Sequence, residues 1–146
     1  VTWVHDRIFA AGGEHIPKDW ASFCDQTDVS AVLHLAPAVP SRFEGPPPES
    51  FLWLDVADET QVDLEMCLLA ARFLHECTRG GRSALLHCSL GRHKTRWAFV
   101  AYRIYTGRSV RVALREAAER PWLSPYLTDE RLWADFAASV KNHRAR

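Results

Sequence analysis

The densest chemical signal in these 146 residues is the run His87-Cys88-Ser89-Leu90-Gly91-Arg92-His93-Lys94-Thr95. An apolar stretch, Ser83 to His87 (SALLH), leads into the cysteine, a short loop with one glycine follows, and a helical pattern begins at Thr95. A strand, a tight loop and a helix start in that order make an anion site. Successive N–H groups of the loop and first helical turn point inward, and the helix dipole favours negative charge. The same field acts on the Cys88 thiol, lowers its pKa and supplies a thiolate at neutral pH. Gly91 lets the backbone turn tightly, and Thr95 can donate its hydroxyl to the sulfur when the thiolate leaves. Anion binding beside an activated thiolate implies attack on phosphorus and a phospho-cysteine intermediate. An ordinary buried thiol is the competing reading, but it gives no reason for a cysteine between a strand and a glycine turn. Ser89, Leu90, Gly91, Arg92 and His93 are then expected to line the anion and Lys94 to face it as a charge. His87 is expected to order the loop by hydrogen bonding and not to act as a base.

Elements that would hold this loop are legible on both sides of it. Thr2–Val4 and Ile8–Ala10 read as short strands around a His-Asp-Arg turn, and Lys18 to Cys24 as a short helix with Pro17 near its first turn. Ala31–Leu35 (AVLHL) and Phe51–Asp55 (FLWLD) are apolar runs bounded by turn signals, hence buried strands. The proline-rich stretch Ala36 to Ser50 connects them within the domain. Leu64, Leu68, Ala71 and Leu74 recur at helical spacing between Asp63 and Arg79, and Gly80-Gly81 ends that helix. Thr95 to Tyr105 is apolar almost all round, a central buried helix closed by Gly107. Ser109 opens another helix that runs to Arg120, and Thr128 caps a last one with Asp129 and Glu130 in its first turn. Strands alternating with helices predict an α/β fold: one domain, residues 1–146, with a small central, mostly parallel sheet flanked by helices.

At HCSLGRHKT the residues resemble a family. A pattern HCxxGxx(R)T between a strand and a helix is the signature loop of the cysteine-dependent tyrosine and dual-specificity phosphatases. The resemblance extends along most of the chain: VTWVHDRIFAAGG is similar to the family's opening strand pair, AVLHLAP to its central strand, and LDVADETQVDL to the segment with the general acid. GRHKT is most similar to the loop of the atypical plant-and-fungal type and its bacterial cousins, and AYRIYTGRSVRVALREA resembles those bacterial proteins. The resemblance implies a dual-specificity-phosphatase-like fold, no cofactor and no metal, with the loop and its cation supplying the electrostatic stabilisation. It also implies an acid that protonates the leaving oxygen. Asp58 holds the mobile-loop position of LDVADETQ and is the expected acid; Asp55, which ends its strand, is the fallback.

One position departs from the pattern. The family has Arg at the sixth residue after the cysteine, where this chain has Lys94. A guanidinium grips two phosphate oxygens with a planar fork, which a Lys point charge does not copy. Of the 18 basic residues only Lys18, Lys94 and Lys141 are lysines, so compositional drift towards Lys does not explain the exchange. The family's Gly after the Thr is replaced by Arg96, leaving Arg96 and Arg92 as the cations that could make up for the loss.

Composition narrows the alternatives. Eighteen basic and 18 acidic residues give no net charge, so the bulk positive field of a nucleic-acid binder is lacking and no nucleic-acid partner is expected. No apolar run approaches the roughly 18–20 residues needed to span a bilayer. The first residues lack a long apolar stretch behind a basic head, so no secretory signal is expected. A start on Val1 suggests that an upstream segment has been trimmed. Cys24, Cys67, Cys77 and Cys88 show no CxxC or zinc-ligand spacing, and they read as free thiols of a cytoplasmic protein. The expected partner is a phosphorylated protein or a small phosphorylated molecule, with an inositol phosphate suggested by the extra cations Arg92 and His93. Two rival readings are a pseudophosphatase that binds a phosphorylated ligand without turnover, motivated by Lys94, and a rhodanese-like sulfurtransferase. The latter has a shorter loop and no use for an acid at Asp58.

Overall fold

Two apolar runs, VSAVLHL and SALLHC, are buried along nearly their whole length, as strands are when both faces of a sheet are covered. The structure is a computed structural model that describes residues 2–12, 20–36, 46–57, 59–88, 95–120, 123 and 130–144. Its elements in chain order are β1 (Thr2–His5), β2 (Ile8–Gly12), α1 (Trp20–Thr27), β3 (Val29–Leu35), β4 (Ser50–Leu54), a 3-10 turn (Glu59–Gln61) and α2 (Leu64–Arg79). They continue with β5 (Ser83–Cys88), α3 (Arg96–Tyr105), α4 (Val110–Ala118) and α5 (Glu130–Arg144). The five strands form one sheet in the order β1-β2-β5-β3-β4. Only β1 and β2 pair antiparallel; β2 with β5, β5 with β3, and β3 with β4 are parallel. The expected small, mostly parallel sheet flanked by helices is the observed one.

Alternation along the strands divides the core. Ile8, Ala10, Leu33, Leu35, Ala84 and Leu86 meet α2, α3, α4 and α5 on one face, around Leu74, Trp97, Phe99, Trp133 and Phe136. Ala11, Val32 and Leu85 meet Trp20 of α1 on the other face. Trp20 is fully buried, and its indole N–H donates to the Pro46 carbonyl at 2.8 Å. Helix α3 is buried from Trp97 through Ile104, in line with its all-round apolarity.

Polar side chains cap two helix starts, one of them at the expected Ser109. Asp63 accepts from the Met66 N–H at 2.8 Å and Ser109 from the Val112 N–H at 3.2 Å. Gly107 adopts φ +113° after α3, a conformation that side chains strain to reach. Boundaries shift elsewhere. Helix α1 runs on to Thr27, three residues past the expected end at Cys24, while Pro17 and Lys18 lie outside the described residues. Strand β3 begins at Val29, two residues early, and β4 is Ser50–Leu54 in place of Phe51–Asp55. The turn Glu59–Gln61 was not expected, because three residues carry too little periodicity to read. Thr128 and Asp129 lie outside the described residues. Among the described residues no helix is long and apolar enough to cross a membrane.

Away from the loop, arginines fasten β1 to α3 and α4. The largely buried Arg103 donates from Nε to Glu116 at 2.6 Å, and Arg108 approaches the same carboxylate at 3.3 Å. Arg120 donates to the Val4 carbonyl at 2.7 Å, lies 3.3 Å from His5 Nδ1, and covers the Phe99 ring at 4.9 Å. Removing the carboxylate leaves the Arg103 charge buried without its partner. The Glu116→Ala variant is therefore expected to lose about 3 kcal/mol of stability, read from urea unfolding midpoints. His5 is held below its ordinary value of 6.5, first by burial and then by the Arg103 and Arg120 charges. The folded state thus resists protonating it. The stability this ring contributes is complete above pH 6.5 and falls away below it, towards the depressed folded value. Urea unfolding of the His5→Gln variant should show a shallower loss between pH 7.5 and 5 than the parent chain; an equal slope would assign the acid sensitivity to other groups.

Candidate active site

Four strands end level with one another. Gly12 of β2 pairs with Cys88 of β5, Cys88 with Leu35 of β3, and Leu35 with Leu54 of β4. Cys88 is therefore the last residue of the central strand, at the carboxyl edge of the four parallel strands. Strands β2 and β3 flank it, although they are successive in the chain and their connection skips over it. Open α/β sheets bind ligands at such a switch point. Cys88 is buried, 3% exposed. Seven residues on stands Thr95, the N-cap residue of α3, whose carbonyl accepts from the Ala98 and Phe99 N–H groups at 3.1 and 3.3 Å. Its hydroxyl is buried and has no hydrogen-bond partner among the described residues. Strand, cysteine and helix start thus stand in the order expected for an anion loop. Ser89, Leu90, Gly91, Arg92, His93 and Lys94 lie outside the described residues, as does Asp58.

The surroundings of Asp58 are described on both sides. Val56 and Val62 are buried in the main core, and the Ala57 N–H donates to the Gln61 side chain at 3.2 Å. Asp55, the fallback acid, is exposed and immediately follows β4. Leu54 stands two strand spacings from Cys88, about 10 Å along the edge.

Arg96, one of the two cations that could make up for the signature arginine, has contacts within the fold. Its Nη2 donates to the carbonyls of Arg120 at 3.1 Å and Leu123 at 2.7 Å, tying the first turn of α3 to the chain that leaves α4. Cys67 and Cys77 are buried free thiols, and burial pushes Cys67 up to about 12, which leaves it a poor nucleophile.

His87 is fully buried, and one of its partners is a residue that no local pattern singles out. His34 of β3 pairs with it across the strands in register, and the two Nδ1 atoms are 3.0 Å apart. The signal was present as a histidine near the end of each of two apolar runs, AVLHL and ALLHC. Reading it required knowing that these strands are parallel neighbours.

No protein-family description matches the chain, and no curated protein matches it. Solved structures do. The crystal structure of DUSP15 is 20% identical with a TM-score of 0.73, over 99% of this chain and 92% of that one. Human DUSP28 is 16% identical with a TM-score of 0.71, over 99% and 98%. PTPMT1 in complex with PI(5)P is 16% identical with a TM-score of 0.74, over 93% and 94%. At these identities the likeness is one of architecture: the chain has the fold of the dual-specificity and protein tyrosine phosphatases.

Proposed function

We propose that residues 1–146 form one phosphatase domain that hydrolyses phosphate monoesters through Cys88. The observation that carries the reading is the position of Cys88, at the carboxyl end of the central strand of a phosphatase-type sheet with the N-cap of a helix seven residues on. The Cys88 thiolate attacks phosphorus and forms a P–S bond while the P–O bond to the leaving group breaks. Asp58 gives its proton to the departing oxygen. Water then attacks phosphorus, Asp58 takes a proton from it, and the P–S bond breaks to release phosphate and the thiolate. The Thr95 hydroxyl, buried without another partner among the described residues, supports a role as donor to that sulfur. N–H groups of Ser89 to His93 and the Lys94 ammonium hold the phosphoryl oxygens, and His87 orders the loop.

Substrates of this reading are phosphotyrosine, phosphoserine or phosphothreonine, or an inositol phosphate. Arg92 and His93 favour a compact polyanion, and the PI(5)P bound in the similarly folded PTPMT1 agrees with that preference. Four free cysteines suit a reducing, cytoplasmic setting. No metal or cofactor takes part.

Hydrolysis of p-nitrophenyl phosphate by the chain, with Cys88→Ser as the blank, is the direct test. Release above the blank is expected; none above it would transfer the reading to a phospho-ligand binder. Restoring a planar fork by Lys94→Arg adds one charge-assisted hydrogen bond, about 1.5–3 kcal/mol. The same assay should then show a gain of roughly 10- to 150-fold. An unchanged rate would mean that Lys94 does not face the phosphoryl group.

A further inference from the structure

His34 and His87 are 1% and 0% exposed, so their ring nitrogens find partners inside the protein or not at all. The rings are tilted by only 20° with centroids 5.1 Å apart, farther than the 3.0 Å between their Nδ1 atoms. They therefore meet edge to edge, as an in-plane N–H···N bond requires. A neutral imidazole carries one donor and one acceptor nitrogen, so one ring must bring the proton to this contact and the other a lone pair. Burial holds His34 below its ordinary value, which keeps its ring neutral at pH 7.

The far nitrogen of His34 decides which ring donates. Its Nε2 is buried, with no hydrogen-bond partner among the described residues, and the ring lies 6.1 Å from that of Phe51. If His34 accepted at Nδ1, its proton would sit on Nε2 as a buried N–H with no acceptor, the rarer kind of orphan in proteins. If His34 donates, Nε2 carries only a lone pair. We propose that His34 is a positioning residue for the Cys88 loop: its Nδ1–H donates to His87 Nδ1 and fixes His87 as the Nε2–H tautomer. His87 is then left with a single ring donor, Nε2–H, on the residue next to the nucleophile. The consequence for catalysis rests on the phosphatase reading; the tautomer does not.

The test uses the whole chain labelled with 15N-histidine, in which two-bond 1H–15N spectra report which ring nitrogen holds the proton. Two variants accompany it. His34→Leu fills similar space without a donor, and His34→Asn sets an amide N–H near the position of Nδ1. In the parent chain, His34 is expected to be protonated at Nδ1 and His87 at Nε2. His34→Leu should leave His87 a mixture of tautomers. It should also slow iodoacetamide alkylation of Cys88, followed by mass spectrometry, and p-nitrophenyl phosphate turnover, each by about fivefold, the worth of one neutral hydrogen bond. His34→Asn should restore all three. A parent His87 protonated at Nδ1 would overturn the proposal, and so would a His34→Leu variant with unchanged His87 tautomer and unchanged Cys88 alkylation. If the chain turns over no phosphate ester, the phosphatase reading fails, while the spectra and the alkylation rate still decide the role of His34. Should His34→Leu not fold, the parent and His34→Asn spectra decide it, since Nδ1 protonation of His87 in either is the contrary result.

Discussion

A strand paired in parallel on both sides cannot be reached by a hairpin; the chain must leave the sheet, cross a face and return. β5 is such a strand, with β2 on one side and β3 on the other. Both crossovers follow from that demand. The link from β2 to β3 carries α1 over one face, and the link from β4 back to β5 carries α2 over the other. Covered on both faces, β5 is apolar through Ala84, Leu85 and Leu86, with the polar Ser83 and His87 near its ends. Its carboxyl end then opens at the centre of the sheet edge, level with Gly12, Leu35 and Leu54. Cys88 occupies that end. The chemistry proposed for it depends less on any neighbour than on this placement, because a loop that turns from a central strand into a helix aims its N–H groups at one point.

Arginine holds the frame around this site. Arg96 binds two carbonyls with one nitrogen, Arg103 shares Glu116 with Arg108, and Arg120 reaches a carbonyl of β1 while lying on Phe99. Arg103 and Arg120 each use two or more nitrogens of the rigid plane that distinguishes a guanidinium from an ammonium. The preference for Arg in the composition thus has a structural counterpart, and it sharpens the contrast with Lys94. A chain that relies on planar forks to fasten its helices has a point charge at the position where the resembling family uses a fork on phosphate.

Legibility in the sequence followed the range of the interactions involved. The helix start at Ser109 and the stops at Gly80 and Gly107 act over three or four residues, and they could be read directly. The buried strands were readable because burial on both faces removes polar residues from the string. Strand ends moved by one or two residues, since pairing partners and not local preference set where β3 and β4 begin. His34 was missed for the same reason. Its significance lies in a register with β5, and no local pattern encodes a partner more than fifty residues away. The tie from Arg96 to the carbonyls of Arg120 and Leu123 likewise joins residues far apart in the chain, which spacing does not show.

The same strand order has a consequence for the chain as it is made. A ribosome delivers β2, β3 and β4 before β5, so Val32, Leu33 and Ala11 wait beside an empty slot in the sheet until residues 83–88 emerge. Pairing across such distances is slow, and the unfilled gap presents two bare strand edges to other nascent chains. Filling the slot ends that exposure and places the sulfur at the same moment. The proposed site therefore comes together only as the sheet closes, and a chain interrupted before β5 presents bare strand edges without Cys88.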